Sequence, residues 1–296
     1  MAGMKGLSGS IVALVTPFAE DGSIDFEALG RLVDFHLENG TDALLTLGTT
    51  GESSTMSHEE DDEVCKFVVD RVAGRVPVIA GSGSNSTQTM LEKSLSFQKM
   101  GADGLLLITP YYNKSNEGGI YRHFTTVLDA VDIPCILYNV PGRTGCSISE
   151  KNVARLAKHP NAFGIKEASG NIGYATKIAR YLSDDFCMFS GNDDIVLPMM
   201  ALGSRGVISV WANVQPKEVH DMCHAWLAGD HAAALKTQLA GIELVDSLFC
   251  EVNPIPVKYA LELMGFGKAV YRQPLCEPSD AAKATIAAAM KNAGII

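Results

Sequence analysis

Lys166 stands in the segment Phe163-Gly164-Ile165-Lys166-Glu167-Ala168-Ser169, whose apolar pattern reads as a buried strand. Alternation along a strand sends Lys166 and Glu167 to opposite faces. An ammonium facing a packed interior is costly unless it is paired or loses its proton. A desolvated amine titrating well below the usual lysine range can attack a ketone, giving a Schiff base and then an enamine. The plainer alternative is a lysine at a strand end with its ammonium paired or in water. The segment by itself leaves both open.

Other reactive side chains cluster after candidate strands. Gly48-Thr49-Thr50-Gly51-Glu52 sets two adjacent hydroxyls between glycines, Pro110-Tyr111-Tyr112-Asn113 carries two phenols, and Tyr138-Asn139-Val140-Pro141-Gly142-Arg143-Thr144 adds a third phenol and a guanidinium. Ser190-Gly191-Asn192-Asp193 follows another apolar run. Each has an ordinary reading: a turn or helix cap, a core tyrosine with a satisfied hydroxyl, a solvated arginine. Their conjunction with a strand lysine favours an enzyme. His220-Asp221-Met222-Cys223-His224 places two histidines one helical turn apart, but it lacks the glutamate of the zinc-protease pattern and falls on a helix expected to face outward. It is read as no metal site. Gly81-Ser82-Gly83-Ser84 has no P-loop lysine after it and is read as a plain strand-to-helix loop.

Positioning these groups requires a regular frame. Candidate strands at 10–16, 43–47, 76–80, 104–109, 135–139, 163–168, 186–190 and 206–211 alternate with helical patterns at 26–38, 59–72, 87–100, 119–130, 149–157, 172–181, 194–202 and 216–228. Eight strand–helix units imply a parallel (β/α)₈ barrel over residues 1–229, with the reactive clusters at the carboxyl ends of the strands. A doubly wound sheet is the competing architecture. It usually has a Gly-x-Gly-x-x-Gly turn after the first strand, where this chain has Thr16-Pro17-Phe18. Residues 230–296 read as an appended helical domain, with helices at 231–250, 257–264 and 279–292.

Composition narrows the function classes. The chain has 296 residues and a formal net charge of −10, with no basic stripe for nucleic acid. No apolar run approaches a membrane span, and the short run at 11–15 is read as a first strand rather than a signal segment. Seven dispersed cysteines without a Cys-x-x-Cys pair fit reduced cytoplasmic thiols. The tripeptides at 85–87 and 113–115 are therefore read as accidental matches to a glycosylation signal.

The motifs around Thr49, Arg143 and Lys166, extended by Asn253-Pro254-Ile255-Pro256-Val257-Lys258, closely resemble the dihydrodipicolinate synthase family of pyruvate-dependent class I aldolases over nearly the whole chain. The resemblance implies that Lys166 forms an imine with pyruvate, whose enamine attacks aspartate 4-semialdehyde to give 4-hydroxy-tetrahydrodipicolinate on the route to lysine and diaminopimelate. It implies a proton relay of Tyr138, Thr49 and Tyr112, with Tyr112 reaching a neighbouring subunit's site. Arg143 would bind the semialdehyde carboxylate, and Thr50 with the backbone at Gly191 and Ile208 would hold pyruvate. No metal or cofactor is required, and a homotetramer, as a dimer of dimers, is implied. The alternative is a sister aldolase acting on N-acetylneuraminate or sugar keto-acids, for which Arg143 would be incidental. A non-catalytic barrel that kept the scaffold is the third possibility.

The resemblance also implies a lysine-binding pocket at Ser53, Ser54, His58, Asn85 and Tyr111. Here the chain departs from the lysine-sensitive pattern, with Asp61 and Thr89 where a histidine and a glutamate are usual. Weakened or absent feedback by lysine is the expectation.

Overall fold

The computed structural model describes residues 3–296. Eight short strands, β1 (Gly9–Ala13), β2 (Ala43–Thr46), β3 (Val78–Gly81), β4 (Gly104–Ile108), β5 (Cys135–Asn139), β6 (Ala162–Glu167), β7 (Cys187–Ser190) and β8 (Gly206–Ser209), pair in parallel with their sequence neighbours. β8 returns to β1, closing the barrel expected from the eight alternating units. The intervening helices are α1 (Phe26–Glu38), α2 (His58–Val72), α3 (Thr87–Met100), α4 (Glu117–Leu128), α5 (Pro141–Thr144), α6 (Glu150–Leu156), α7 (Ile172–Ala179), α8 (Val196–Ala201) and α9 (Pro216–Leu227). Three further helices follow: α10 (His231–Leu248), α11 (Ile255–Leu263) and α12 (Asp280–Asn292).

The strand sequences look uniformly apolar because both faces are buried. Alternation sorts them into two cores. Ile11, Leu45, Ile79, Leu106, Ile136, Phe189 and Ile208 fill the barrel interior. Val12, Leu44, Ala80, Leu107, Leu137, Ile165 and Val207 face the helices. The outer core continues into Leu244, Val257 and Ile286, so the last three helices share it with the barrel.

Two expected strands run two or more residues past the observed C-terminal ends, and side-chain competition explains both. β1 stops at Ala13 because Asn213 takes over its backbone, donating to the Ala13 carbonyl at 2.8 Å and accepting from the Val15 amide. β8 stops at Ser209 because the amides of Val210 and Trp211 turn to the Asp193 carboxylate. Helix starts follow local chemistry. Ser57 and Glu60 cap α2 reciprocally, and Asp25 caps α1 through the Ala28 amide. The short α5, which periodicity does not reveal, begins at Pro141 and presents Arg143 at the barrel mouth.

Candidate active site

β6 carries Lys166 inward, in register with Tyr138 on β5 and Phe189 on β7. Its neighbour Glu167 points the other way, accepting from the Asn139 amide group at 2.7 Å and from the Ser169 backbone. That lock holds the end of β6 against β5. Lys166 is 6% exposed, and its Nζ lies 4.5 Å from the centroid of the Tyr138 ring. Burial pushes its pKa down to about 8, the Asp193 carboxylate opposes the fall, and the Arg143 charge adds to it. At neutral pH roughly a tenth of such amines are unprotonated, against well under a thousandth for an ordinary lysine. The lysine therefore sits in the barrel interior, not at a strand end with its ammonium in water.

Gly191 follows β7, where a side chain would collide with Ala168 and come within 3.1 Å of the Lys166 Cε. Its amide donates to the Glu167 carbonyl at 2.8 Å, which leaves the Gly191 carbonyl as the backbone group able to meet a ligand. Ile208 lies in β8 opposite Ile11, within the inner core.

In front of Tyr138 opens a cavity of about 410 Å³ whose wall includes Thr49, Tyr138, Arg143 and Thr144. Burial raises the Tyr138 pKa, while the Arg143 charge and the Thr49 hydroxyl oppose the rise. Thr50 is buried with its hydroxyl accepting from the Asn253 side chain at 3.0 Å. The Asn253 carbonyl in turn accepts from Arg143 at 3.1 Å, so one residue of the appended segment braces both. The rest of the guanidinium fork remains available at the mouth. Nearby, Lys258 of α11 forms a fully buried ion pair with Glu52, 2.5 Å apart, and lies over the Phe18 ring. Arg272 binds Glu60 and the carbonyls of Gly22 and Thr55, tying the same segment to the rim.

The structure gathers Lys166, Tyr138, Thr49, Thr50, Arg143 and Gly191 around one end of the barrel. Tyr112 is not brought in: it is 92% exposed, with a left-handed φ of 67°. Ser53, Ser54, His58 and Tyr111 line the same cavity as Thr49 and Arg143. Asn85 instead uses its backbone carbonyl to accept from the Asn113 side chain. Asp61 and Thr89 also face that cavity, and Asp61 is paired with Lys93 at 2.8 Å. Two contributors were not assigned roles from sequence. Asp193 carried a signal, an acidic residue just past a strand near the lysine; Asn253 carried only its place in a distant Pro-rich turn.

The profile of the Dihydrodipicolinate synthetase family matches residues 6–293. The chain belongs to that family. A 4-hydroxy-tetrahydrodipicolinate synthase of Geobacter sulfurreducens is 50% identical over 97% of this chain and 99% of its own. The crystal structure of dihydrodipicolinate synthase from Aquifex aeolicus superposes with a TM-score of 0.95 at 44% identity, covering 97% of this chain and 98% of that one. The chloride-inhibited enzyme of Acinetobacter baumannii, solved with pyruvate, gives 0.96 at 42% identity, covering 98% and 100%. These family members share the closed barrel and the helices after it.

Proposed function

We infer that the chain condenses pyruvate with aspartate 4-semialdehyde to form 4-hydroxy-tetrahydrodipicolinate, as a Schiff-base lyase of lysine and diaminopimelate biosynthesis. The observation that carries this reading is the buried Lys166, held at a pKa of about 8 beside the Tyr138 phenol. The neutral Lys166 amine attacks C2 of pyruvate, giving a carbinolamine. Proton delivery to its hydroxyl expels water and leaves the imine. Loss of a proton from C3 gives the enamine, whose C3 attacks the aldehyde carbon while the aldehyde oxygen takes up a proton. The amino group of the bound semialdehyde then attacks C2, and Lys166 departs with its proton restored. Each transfer needs a group that donates and accepts in turn, the work of the Tyr138 and Thr49 hydroxyls. Arg143 offers a charged fork to the semialdehyde carboxylate, Thr50 donates its hydroxyl to pyruvate, and the Gly191 and Ile208 backbone holds the adduct on Lys166, the Gly191 carbonyl accepting from the carbinolamine hydroxyl or imine N–H.

We place Tyr112 in the relay of a neighbouring subunit, within a homotetramer arranged as a dimer of dimers. Its exposure and fixed left-handed backbone suit a side chain presented to another copy. A cytoplasmic location fits seven free cysteines, and among the described residues no helix is long and apolar enough to cross a membrane. Feedback by L-lysine is weak or absent in this reading, since Lys93 already neutralises the Asp61 carboxylate facing the cavity.

A steady-state assay comparing aspartate 4-semialdehyde with N-acetylmannosamine and sugar aldehydes as pyruvate acceptors tests the assignment. Turnover with the semialdehyde should exceed the others by orders of magnitude. Preference for a sugar aldehyde would move the chain to a sister aldolase, and sub-millimolar inhibition by L-lysine would overturn the regulatory part.

A further inference from the structure

At the opposite end of the barrel from Lys166, three potential metal ligands converge. His220 and His224 lie four residues apart on α9 and project from one face. Their rings stack with centroids 4.0 Å apart and planes 33° apart. Asp42, immediately before β2, meets both: His224 Nε2 is 2.9 Å from one carboxylate oxygen and His220 Nδ1 is 3.2 Å from the other. The ligand atoms all fall within 4.8 Å of one another.

We propose that Asp42, His220 and His224 bind one transition-metal dication of the zinc class, with solvent completing its coordination. Two imidazoles and one carboxylate form a borderline N/O donor set suited to Zn²⁺, Co²⁺ or Ni²⁺ rather than to Mg²⁺ or Ca²⁺. Donors each about 2.0–2.1 Å from a tetrahedral ion stand roughly 3.3 Å apart, close to the two Asp42–His separations. The surroundings hold the carboxylate in place. The oxygen facing His220 also accepts from the Ser10 amide at 2.7 Å, and the Asp42 amide donates to the Ser10 carbonyl. Such outer contacts fix a ligand's direction and tune its affinity.

Gly9 leaves the room this requires. A Cβ there would lie 2.1 Å from the Asp42 carboxylate and 2.9 Å from His224 Nε2. The three side chains are partly exposed, at 17% for Asp42, 27% for His220 and 44% for His224, so an ion can enter and keep bound water. Two histidines one helical turn apart do not by themselves make a site; the third ligand lies 178 residues from His220 in sequence. A bound ion would join α9 to the β1–β2 edge, remote from the reaction.

The test is titration of untagged, chelator-stripped protein with Co²⁺, followed by visible absorption, then displacement with Zn²⁺. One Co²⁺ per chain should bind with a ligand-field band of four- or five-coordinate intensity, and Zn²⁺ should abolish it. His224→Gln should weaken Co²⁺ binding at least tenfold while pyruvate trapping on Lys166 stays intact. Asp42→Asn should do the same. If Asp42→Asn fails to fold, because Asp42 also holds Ser10, the half-exposed His224 variant still locates the site. A wild-type chain with no saturable band would overturn the proposal. So would a band that persists at full affinity in His224→Gln, or one with the thiolate charge-transfer absorption of the exposed Cys250 or Cys276.

Discussion

Replacing Lys166 by methionine should make the protein more stable as it makes it inactive. The fall of the Lys166 pKa from the ordinary 10.5 to about 8 means that the folded chain disfavours the charged amine. At about 1.36 kcal/mol per unit, that is a penalty of about 3 kcal/mol, already net of the Asp193 attraction. Below pH 8 the amine is protonated in both folded and unfolded chains, so the full penalty is present. Between about pH 8 and 10.5 the folded chain sheds its proton first, and stability rises with pH. Above 10.5 both forms are neutral and the penalty is gone. Methionine matches the length and volume of lysine, so little packing is lost. The ammonium's contact with the Tyr138 ring is lost too, which offsets about 0.5–2 kcal/mol. Lys166→Met should therefore gain about 1–3 kcal/mol at pH 7, or several degrees in Tm at roughly 2–4 °C per kcal/mol. Thermal unfolding of both proteins at matched concentration, at pH 7 and again above pH 10.5, reads this directly. The gain should vanish at the higher pH. A variant no more stable than wild type at pH 7, or a gain that is the same at both pH values, would refute the reasoning.

Other consequences are equally measurable. The rate of imine formation at sub-saturating pyruvate should climb about tenfold per pH unit below pH 8 and level off above it, because only the neutral amine attacks; a flat profile between pH 6 and 8 would contradict a depressed pKa. Asn253→Ala deprives the buried Thr50 hydroxyl of its donor but keeps the carbonyl that Arg143 uses. At about 1 kcal/mol, pyruvate KM should rise about fivefold with imine trapping preserved, and an unchanged KM would separate Asn253 from the site. Tyr112→Phe should lower kcat at least tenfold while leaving pyruvate trapping and the folded chain intact; unchanged turnover would remove it from the relay.

Much of this architecture was legible in the chain because a closed parallel barrel repeats one local pattern. Ala43 to Leu45 and Leu105 to Leu107 sit in strands whose two buried faces make short, uniformly apolar runs, and Ser57 with Glu60 writes a helix start into the sequence. Lys166 was visible for the same reason, as a charge inside such a run. Its surroundings were not. Tyr138 meets Lys166 only through the β5–β6 register, which shifts at Cys135 and Ile136. Asn253 reaches Thr50 across 203 residues and Arg143 across 110. Asp193 shows its place only once its carboxylate is seen ending β8 within electrostatic reach of the amine. Local periodicity carries no information about such contacts, which are set by barrel closure and by the helices packed behind it.

The central claim is that Lys166 is the imine-forming nucleophile. Incubation with pyruvate and borohydride, followed by peptide mapping, tests it most directly. The account predicts one reduced pyruvyl adduct per chain, located on Lys166 and absent from Lys166→Met. No adduct, or an adduct on Lys258, Lys93 or any other lysine with Lys166 unmodified, would contradict it.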